Sequence, residues 1–383
     1  MRYPTLFAAT ILAALAPAGL AEPAGPSGPI VFRFAPQPGQ TVRQRFVTKS
    51  VGTLGLAPGL PGAKFTQTSS QEIVGQCRQV NPDGSAIVDM TLDSIAMRMN
   101  TVGMTFEYDS KTFDPVKVDN PALRFIGRVY SAMVGSKVTT TFDARGCPVK
   151  MTGMKEAVAK AIQPIKQEIS QDKSAAFLGR TIDDISKMFN DDTMLEQTKG
   201  HYRLAPDKAG PVAVGEKWEQ NWSMNIPVLN STCNIKGQYE LLGIETFRGR
   251  PCAKIGIKES FATGPNPAQA GGSAGGRGGP ALAGLSQMDM TLNASSGDGT
   301  AYWDYEHGLL VQLRQTQRIA INVKYKFETT QPSGTDQAET GPAEGKNAGA
   351  FSQNVTTSFQ VDLVEGEAGQ TTTRAATTGP ANR

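Results

Sequence analysis

Few residues in this chain have the types and spacing that chemistry needs. Only two histidines occur, His201 and His307. His307 follows Asp304 by three residues, close enough for a carboxylate to orient an imidazole as in a Ser-His-Asp triad. The stretch from Trp303-Asp304 to Gly308 reads as a turn, however, so a solvent-exposed turn histidine is the expectation. Gly271-Gly272-Ser273-Ala274-Gly275 spells the G-x-S-x-G nucleophile elbow, which works because a strand-to-helix turn strains the serine into the open. Here the motif lies in a Gly/Ala tract with neither strand nor helix beside it, so Ser273 is not expected to be a nucleophile. Walker loops, H-E-x-x-H helices and calcium loops of alternating carboxylates do not occur. Any two of the 35 acidic residues could converge on facing strands as a glycosidase pair, but no spacing singles out two of them. We therefore assign no catalytic, cofactor-binding or metal-ligating residue from the sequence.

Cys77, Cys147, Cys233 and Cys252 allow three disulfide connectivities if all are paired. None is spaced C-x-x-C, so neither a redox pair nor a zinc knuckle is supported. If two strands meet around Arg248-Gly249, Cys252 faces Glu245. Cys233 then lies roughly 40 Å further along the hairpin, against a limit of about 7 Å between bridged Cα atoms. That pair should not be a disulfide. A formal charge of +3 and 19% charged residues leave no basic stripe for nucleic acid. Four glycosylation sequons, among them Asn221-Trp222-Ser223, carry no weight in a bacterial protein.

The elements that would position these residues are mostly strands. Val31–Phe34, Thr41–Val51, Thr66–Val80, Ser85–Thr101 and Met104–Tyr108 read as strands. Asn81-Pro82-Asp83-Gly84 has the residues of a type I turn followed by a bulge. Val88, Met90 and Leu92 alternate, and Ile95, Met97 and Met99 resume one residue out of phase, so a bulge near Asp93-Ser94 would keep both sets on one face. Asn120-Pro121 opens a helix that Gly135 ends. Lys137–Phe142 and Cys147–Met151 form a hairpin around Asp143-Ala144-Arg145-Gly146.

Residues 153–200 carry the longest helical signal. One stripe runs through Val158, Ile162, Ile165 and Ile169, with Pro164 expected to kink or shorten the helix. A second helix is expected from Asp172, with a stripe through Leu178, Ile182, Ile185 and Phe189 and a stop at Asn190. A short third one is possible through Met194 and Leu195. These stripes are expected to pack on the face of Val88, Met90 and Leu92. Strands resume over 215–223, 232–247, 251–261, 288–293, 300–305, 309–321, 324–329 and 352–364. The Gly/Ala/Pro tract 263–287 and the tail 365–383 are expected to be disordered.

The fold class is therefore α+β, with long antiparallel hairpins in two similar halves and a central helical segment packed on the sheet. The divisions are a signal peptide (1–21), an N-terminal β-rich half with one helix (22–152), the helical segment (153–200) and a C-terminal β-rich half (201–364). The leader has Arg2, an apolar run from Leu6 to Leu20 and small residues up to Ala21. It implies export to the periplasm or beyond, and its short, alanine-rich core has bacterial character. No cysteine follows Ala21, which argues against a lipoprotein, and no other stretch is apolar enough for a transmembrane helix. The halves echo each other. Gly39-Gln40-Thr41-Val42-Arg43-Gln44-Arg45-Phe46 aligns with Gly215-Glu216-Lys217-Trp218-Glu219-Gln220-Asn221-Trp222, and Phe142-Asp143 with Trp303-Asp304.

Pro211-Val212, Val214-Gly215-Glu216-Lys217-Trp218, Gly249-Arg250-Pro251 and Tyr302-Trp303-Asp304 before Gly308 resemble an uncharacterised family of secreted bacterial proteins, a domain of unknown function. The resemblance implies a secreted, β-rich protein and brings no site residues. The leading expectation is an exported, non-enzymatic binding or scaffolding protein of the cell envelope. The alternatives are a carrier of an apolar ligand held between a curved sheet and the central helices, and a hydrolase using a carboxylate pair. The three tryptophans and the methionines of strand 85–101 are expected to be ordinary core.

Overall fold

The computed structural model describes residues 28–54, 62–101, 104–171, 190–208, 210–226, 231–264, 285–327 and 348–367. The leader, Ser273, the stripe from Leu178 to Phe189 and residues 368–383 lie outside them. Among the described residues, fourteen strands and three α-helices follow in chain order. They are β1 (Ile30–Val31), β2 (Thr41–Leu54), β3 (Ala63–Val80), β4 (Ala86–Thr101), β5 (Met104–Asp109), α1 (Pro121–Met133), β6 (Lys137–Phe142), β7 (Pro148–Thr152) and α2 (Met154–Gln171). Then come α3 (Asp191–Tyr202), β8 (Pro211–Val212), β9 (Lys217–Ile226), β10 (Ser231–Phe247), β11 (Arg250–Gly264), β12 (Leu285–Asp304), β13 (Leu309–Phe327) and β14 (Ala348–Glu367).

Twelve strands form one antiparallel sheet in the order β7-β6-β4-β3-β2-β14-β13-β12-β11-β10-β9, with β5 on the same edge of β4 as β6. Strands β1 and β8 pair separately. The sheet curls until its two edges approach each other. Phe142 near one edge and Tyr239 near the other share a core with Val88, Leu241, Ile255, Trp303, Leu313 and Val361. Tyr202, at the end of α3, plugs the gap and meets the Phe142 ring edge-on at 5.6 Å.

Turn chemistry sets the register. Gly84 has φ +82° and its N–H donates to Asn81 O at 3.0 Å, closing the type I turn before the bulge. Leu92 pairs with Ile73 and Ser94 with Glu72, leaving Asp93 as the bulged residue. Val88, Met90, Leu92, Ile95, Met97 and Met99 therefore share a face, as expected. Arg248 (φ 52°) and Gly249 (φ 74°) make the two-residue turn of β10–β11, and Cys252 faces Glu245. All four cysteine thiols are free.

The helices depart further from expectation. The stripe of α2 does not reach Val88 and Met90; Val158, Ile162 and Ile165 pack with Phe125 and Val129 of α1. It is α1 that covers the sheet, placing Leu123, Ile126 and Tyr130 on Ile95, Met97, Phe106 and Tyr108. Helix α2 runs through Pro164, whose exposed position lets water serve the carbonyl left without a partner. The helix expected to stop at Asn190 lies outside the described residues, and Asn190 itself starts one. Its extended backbone and its side chain, accepting from Thr193 N at 2.9 Å, make it the N-cap of α3. Asp191 also reaches back to accept from Met154 N at 2.7 Å, which caps α2.

Several strands differ in length. The first shrinks to Ile30–Val31, while Leu285–Asp304 and Leu309–Phe327 are each continuous. Strand β14 runs to Glu367, past the expected start of the tail, and β11 and β12 take in both ends of the expected loop 263–287. Backbone pairing on both sides carries β12 through Asn293–Gly299, where residue propensity alone reads as a break.

Candidate functional site

The concave face of the sheet is filled at one end and hollow at the other. At the filled end, segment 202–207 ties the two edges together. Trp218 Nε1 donates to Leu204 O at 3.1 Å, Gln220 Nε2 donates to Ala205 O, and Arg203 Nη1 donates to Asn221 O at 3.4 Å, all on β9. From the opposite edge, Arg145 in the β6–β7 turn donates to Pro206 O at 3.2 Å and Asp207 O at 2.8 Å. Tyr202 Oη donates to Gln44 Oε1, and Gln44 Nε2 to Leu310 O at 3.4 Å. Trp303, 2% exposed, sits against the β6–β7 turn, where a Cβ on Gly146 would lie 2.9 Å from its ring. The remaining space there is about 60 Å³.

At the other end a cavity of about 280 Å³ opens between α3 and strands β9 to β13. Its apolar wall is Trp222, Cys233, Ile235, Phe261, Leu292, Ile319 and Ile321. Its polar groups are Glu196, Gln197 and His201 of α3, Glu259 of β11, and Gln315 and Gln317 of β13. Helix α3 is polar and half-buried over most of its length. Asp191 and Asp192 in its first turn and Lys199 in its last suit the helix dipole. His201 stacks on Phe359 with ring centroids 4.2 Å apart, and desolvation holds its imidazole down to about 4. It is neutral at pH 7.

Glu259 is buried, 8% exposed, and no cation pairs with it among the described residues. It faces Gly237 on β10 and Gly297 on β12, and Gly297 in turn faces Gln317 on β13. Gln317 Nε2 donates to Glu259 Oε2 at 3.2 Å. Burial pushes the carboxyl up, against the amides that favour its charge. Gln315 Nε2 is buried close enough to favour the same charge, yet completes no well-formed hydrogen bond. Nothing in the sequence marked Glu259 as a site. The one available signal was Gly297-Asp298-Gly299 inside a strand, since strand glycines mark close approach.

The other candidates resolve as structure. Asp304 is fully buried and accepts from the N–H groups of Glu306 (3.1 Å) and His307 (3.0 Å), from His307 Nδ1 at 2.9 Å and from Arg250 at 2.9 Å. It caps its own turn, with His307 exposed beside it. Among the described residues, no cluster of His, Cys, Asp and Glu could hold a metal ion. No described helix is long and apolar enough to cross a membrane.

The profile of a family of unknown function, DUF6263, matches residues 83–298. The chain belongs to this family. The match takes in Gly215 and Gly249, both with positive φ, and stops short of the Trp303 turn. No curated protein matches the sequence. Among solved structures, a lipovitellin is 8% identical over 86% of this chain at a TM-score of 0.38. An outer membrane channel from Pseudomonas putida F1 is 8% identical over 86% of this chain and 97% of its own, at 0.19. DynF from Micromonospora chersina is 8% identical over 88% and 89%, at 0.16. The chain spans about a quarter of the lipovitellin, 26% of its length. The site of this family member must be argued from its own residues.

Proposed function

We propose that this family member is an exported, non-enzymatic binding protein of the bacterial envelope that carries an apolar ligand between its curved sheet and α3. The observation behind this reading is the unequal filling of one concave face. A cavity of about 280 Å³ with a Trp, Phe, Ile and Leu wall keeps apolar surface in contact with water, and an apolar ligand would remove it. Export rests on residues 1–21 alone. Glu196, the other carboxylate at the cavity, is engaged by Lys199 at 2.6 Å. A lysine-paired carboxylate there supports the binding reading over a glycosidase pair.

The sheet itself is two copies of one meander, β2-β3-β4-β6-β7 and β9-β10-β11-β12-β13, joined by β14. Matching details support this. Gly39 N donates to Cys77 O and Cys77 N to Gln40 O; Gly215 N donates to Leu241 O and Leu241 N to Glu216 O. Gln44 and Gln220 are both buried. Asp143 and Asp304 each cap a turn closed by a glycine of positive φ, Gly146 and Gly308.

The test is extraction of protein purified from its native host with organic solvent, followed by mass spectrometry. The carrier reading expects one lipid-like molecule per chain. A chain that releases none is a scaffold whose cavity holds water.

A further inference from the structure

We infer that Glu259 and Gln315 are the polar end of the cavity and receive an uncharged hydroxyl group at the head of an otherwise apolar ligand. The inference rests on the carrier reading above and adds the ligand's head-group chemistry. Glycines flank Glu259 on both neighbouring strands. A Cβ on Gly297 would lie 3.1 Å from Glu259 Oε2, so its absence leaves room for the carboxylate across β12. Gln315, 6% exposed, borders the same space beside Glu259, with an Nε2 donor that completes no well-formed hydrogen bond there.

Of the four other buried polar atoms without partners among the described residues, Thr140 Oγ1 lines none of the cavities and three face far smaller spaces. Trp303 Nε1 borders one of about 60 Å³, and Gln220 Oε1 and Arg203 Nε one of about 10 Å³. A single water needs roughly 10–15 Å³, so one or a few waters satisfy those groups. Gln315 faces about 280 Å³. A carboxylate acceptor beside an amide donor matches a group that both donates and accepts, as a hydroxyl does. An ammonium would leave Gln315 Nε2 without an acceptor, and a carboxylate would set like charges together in a desolvated site.

The test uses the full chain, stripped of bound lipid, and calorimetric titration with 1-decanol, decylamine and decanoate at pH 7. Thermal melts by circular dichroism verify that each variant is folded. Decanol is expected to bind one per chain and tightest. Q315L and E259L should each weaken it about tenfold, while E259Q, which keeps a hydrogen-bonding carbonyl, should stay within about threefold. Removing one partner of a buried hydrogen bond costs about 1–3 kcal/mol, so Q315L and the conservative E259Q keep the test open if E259L fails to fold. Tenfold tighter binding of decylamine, lost in E259Q, would overturn the hydroxyl assignment in favour of a cation. Tightest binding of decanoate would overturn it in favour of an acid. Decanol binding indifferent to both leucine variants would place the head group elsewhere and leave the carrier reading intact. Absence of binding by all three probes, together with no lipid from the native host, would sink both.

Discussion

The two ends of the concave face share strands β9, β12 and β13 and differ in how their polar side chains are used. At the Trp303 end, Gln44 bridges Tyr202 and Leu310, and Gln220 holds Ala205, so each glutamine ties elements together. At the Glu259 end, Gln317 and Gln315 serve only a neighbouring carboxylate, and Gln315 Nε2 completes no well-formed hydrogen bond. Glutamines that join elements close a core, whereas glutamines that face open space leave it ready for a guest. A polar residue pointing inward from a strand therefore takes its meaning from the volume in front of it.

The sharpest way to break this contrast is to truncate one large side chain at each end. Trp303→Ala should cost about 3–5 kcal/mol in denaturant unfolding, because the space around that ring is otherwise filled. Ile319→Ala removes a half-buried side chain that already borders the cavity, and should cost about 1 kcal/mol or less. Equal losses would mean that both ends are packed alike. Next in size, Tyr202→Phe should cost about 1–3 kcal/mol, since Gln44 Oε1 stays buried without its donor.

Two buried carboxylates sharpen the comparison through opposite pH slopes. Desolvation opposes the charge of Asp89, but hydrogen bonds from Arg78, Lys137 and Thr139 outweigh it and hold the carboxyl down to about 2. Its contribution is present above the unfolded carboxyl's ordinary value and is lost as pH falls toward 2. Arg78 and Lys137 are more than half exposed and screened, so about 1 kcal/mol should disappear over that window, and Asp89→Asn should abolish the slope. Glu259 is raised instead. Its penalty is absent at low pH and grows as pH rises above the ordinary glutamate value, so Glu259→Gln should flatten the curve and stabilise the ligand-free protein at pH 7. Urea unfolding at stepped pH reads both; parallel slopes would show that Glu259 has a counter-charge.

The smallest effect is kinetic. Cys233 borders the cavity and Cys252 is wholly enclosed. Burial pushes these thiols up to about 11 and about 12, so both react slowly. A small methanethiosulfonate should still label Cys233 first and be blocked by decanol. Labelling of Cys252 ahead of Cys233 would place the open space elsewhere.

Much of the filled scaffold was legible in the sequence. Asn81-Pro82-Asp83-Gly84, the phase slip at Asp93, Asn120-Pro121 and Arg248-Gly249 each state a local geometry, and each is found. Helix α3 is the short third helix expected through Met194 and Leu195, but its length, Asp191–Tyr202, was hard to see because its polar, half-buried sequence has little amphipathic contrast. The packing partner of α2 was misread because an apolar stripe says that a face is buried and not what covers it. The site was invisible for a related reason. Glu259, Gly297 and Gln317 are separated along the chain and meet only through the register of three strands.

The most direct test of a ligand cavity at the Glu259 end is a crystal structure of the chain with 10-bromo-1-decanol, read by bromine anomalous scattering. The account predicts one bromine peak enclosed by Trp222, Phe261, Leu292 and Ile319, with the hydroxyl oxygen between Glu259 and Gln315. A structure in which protein side chains occupy that space, with no bromine in it, would contradict the account.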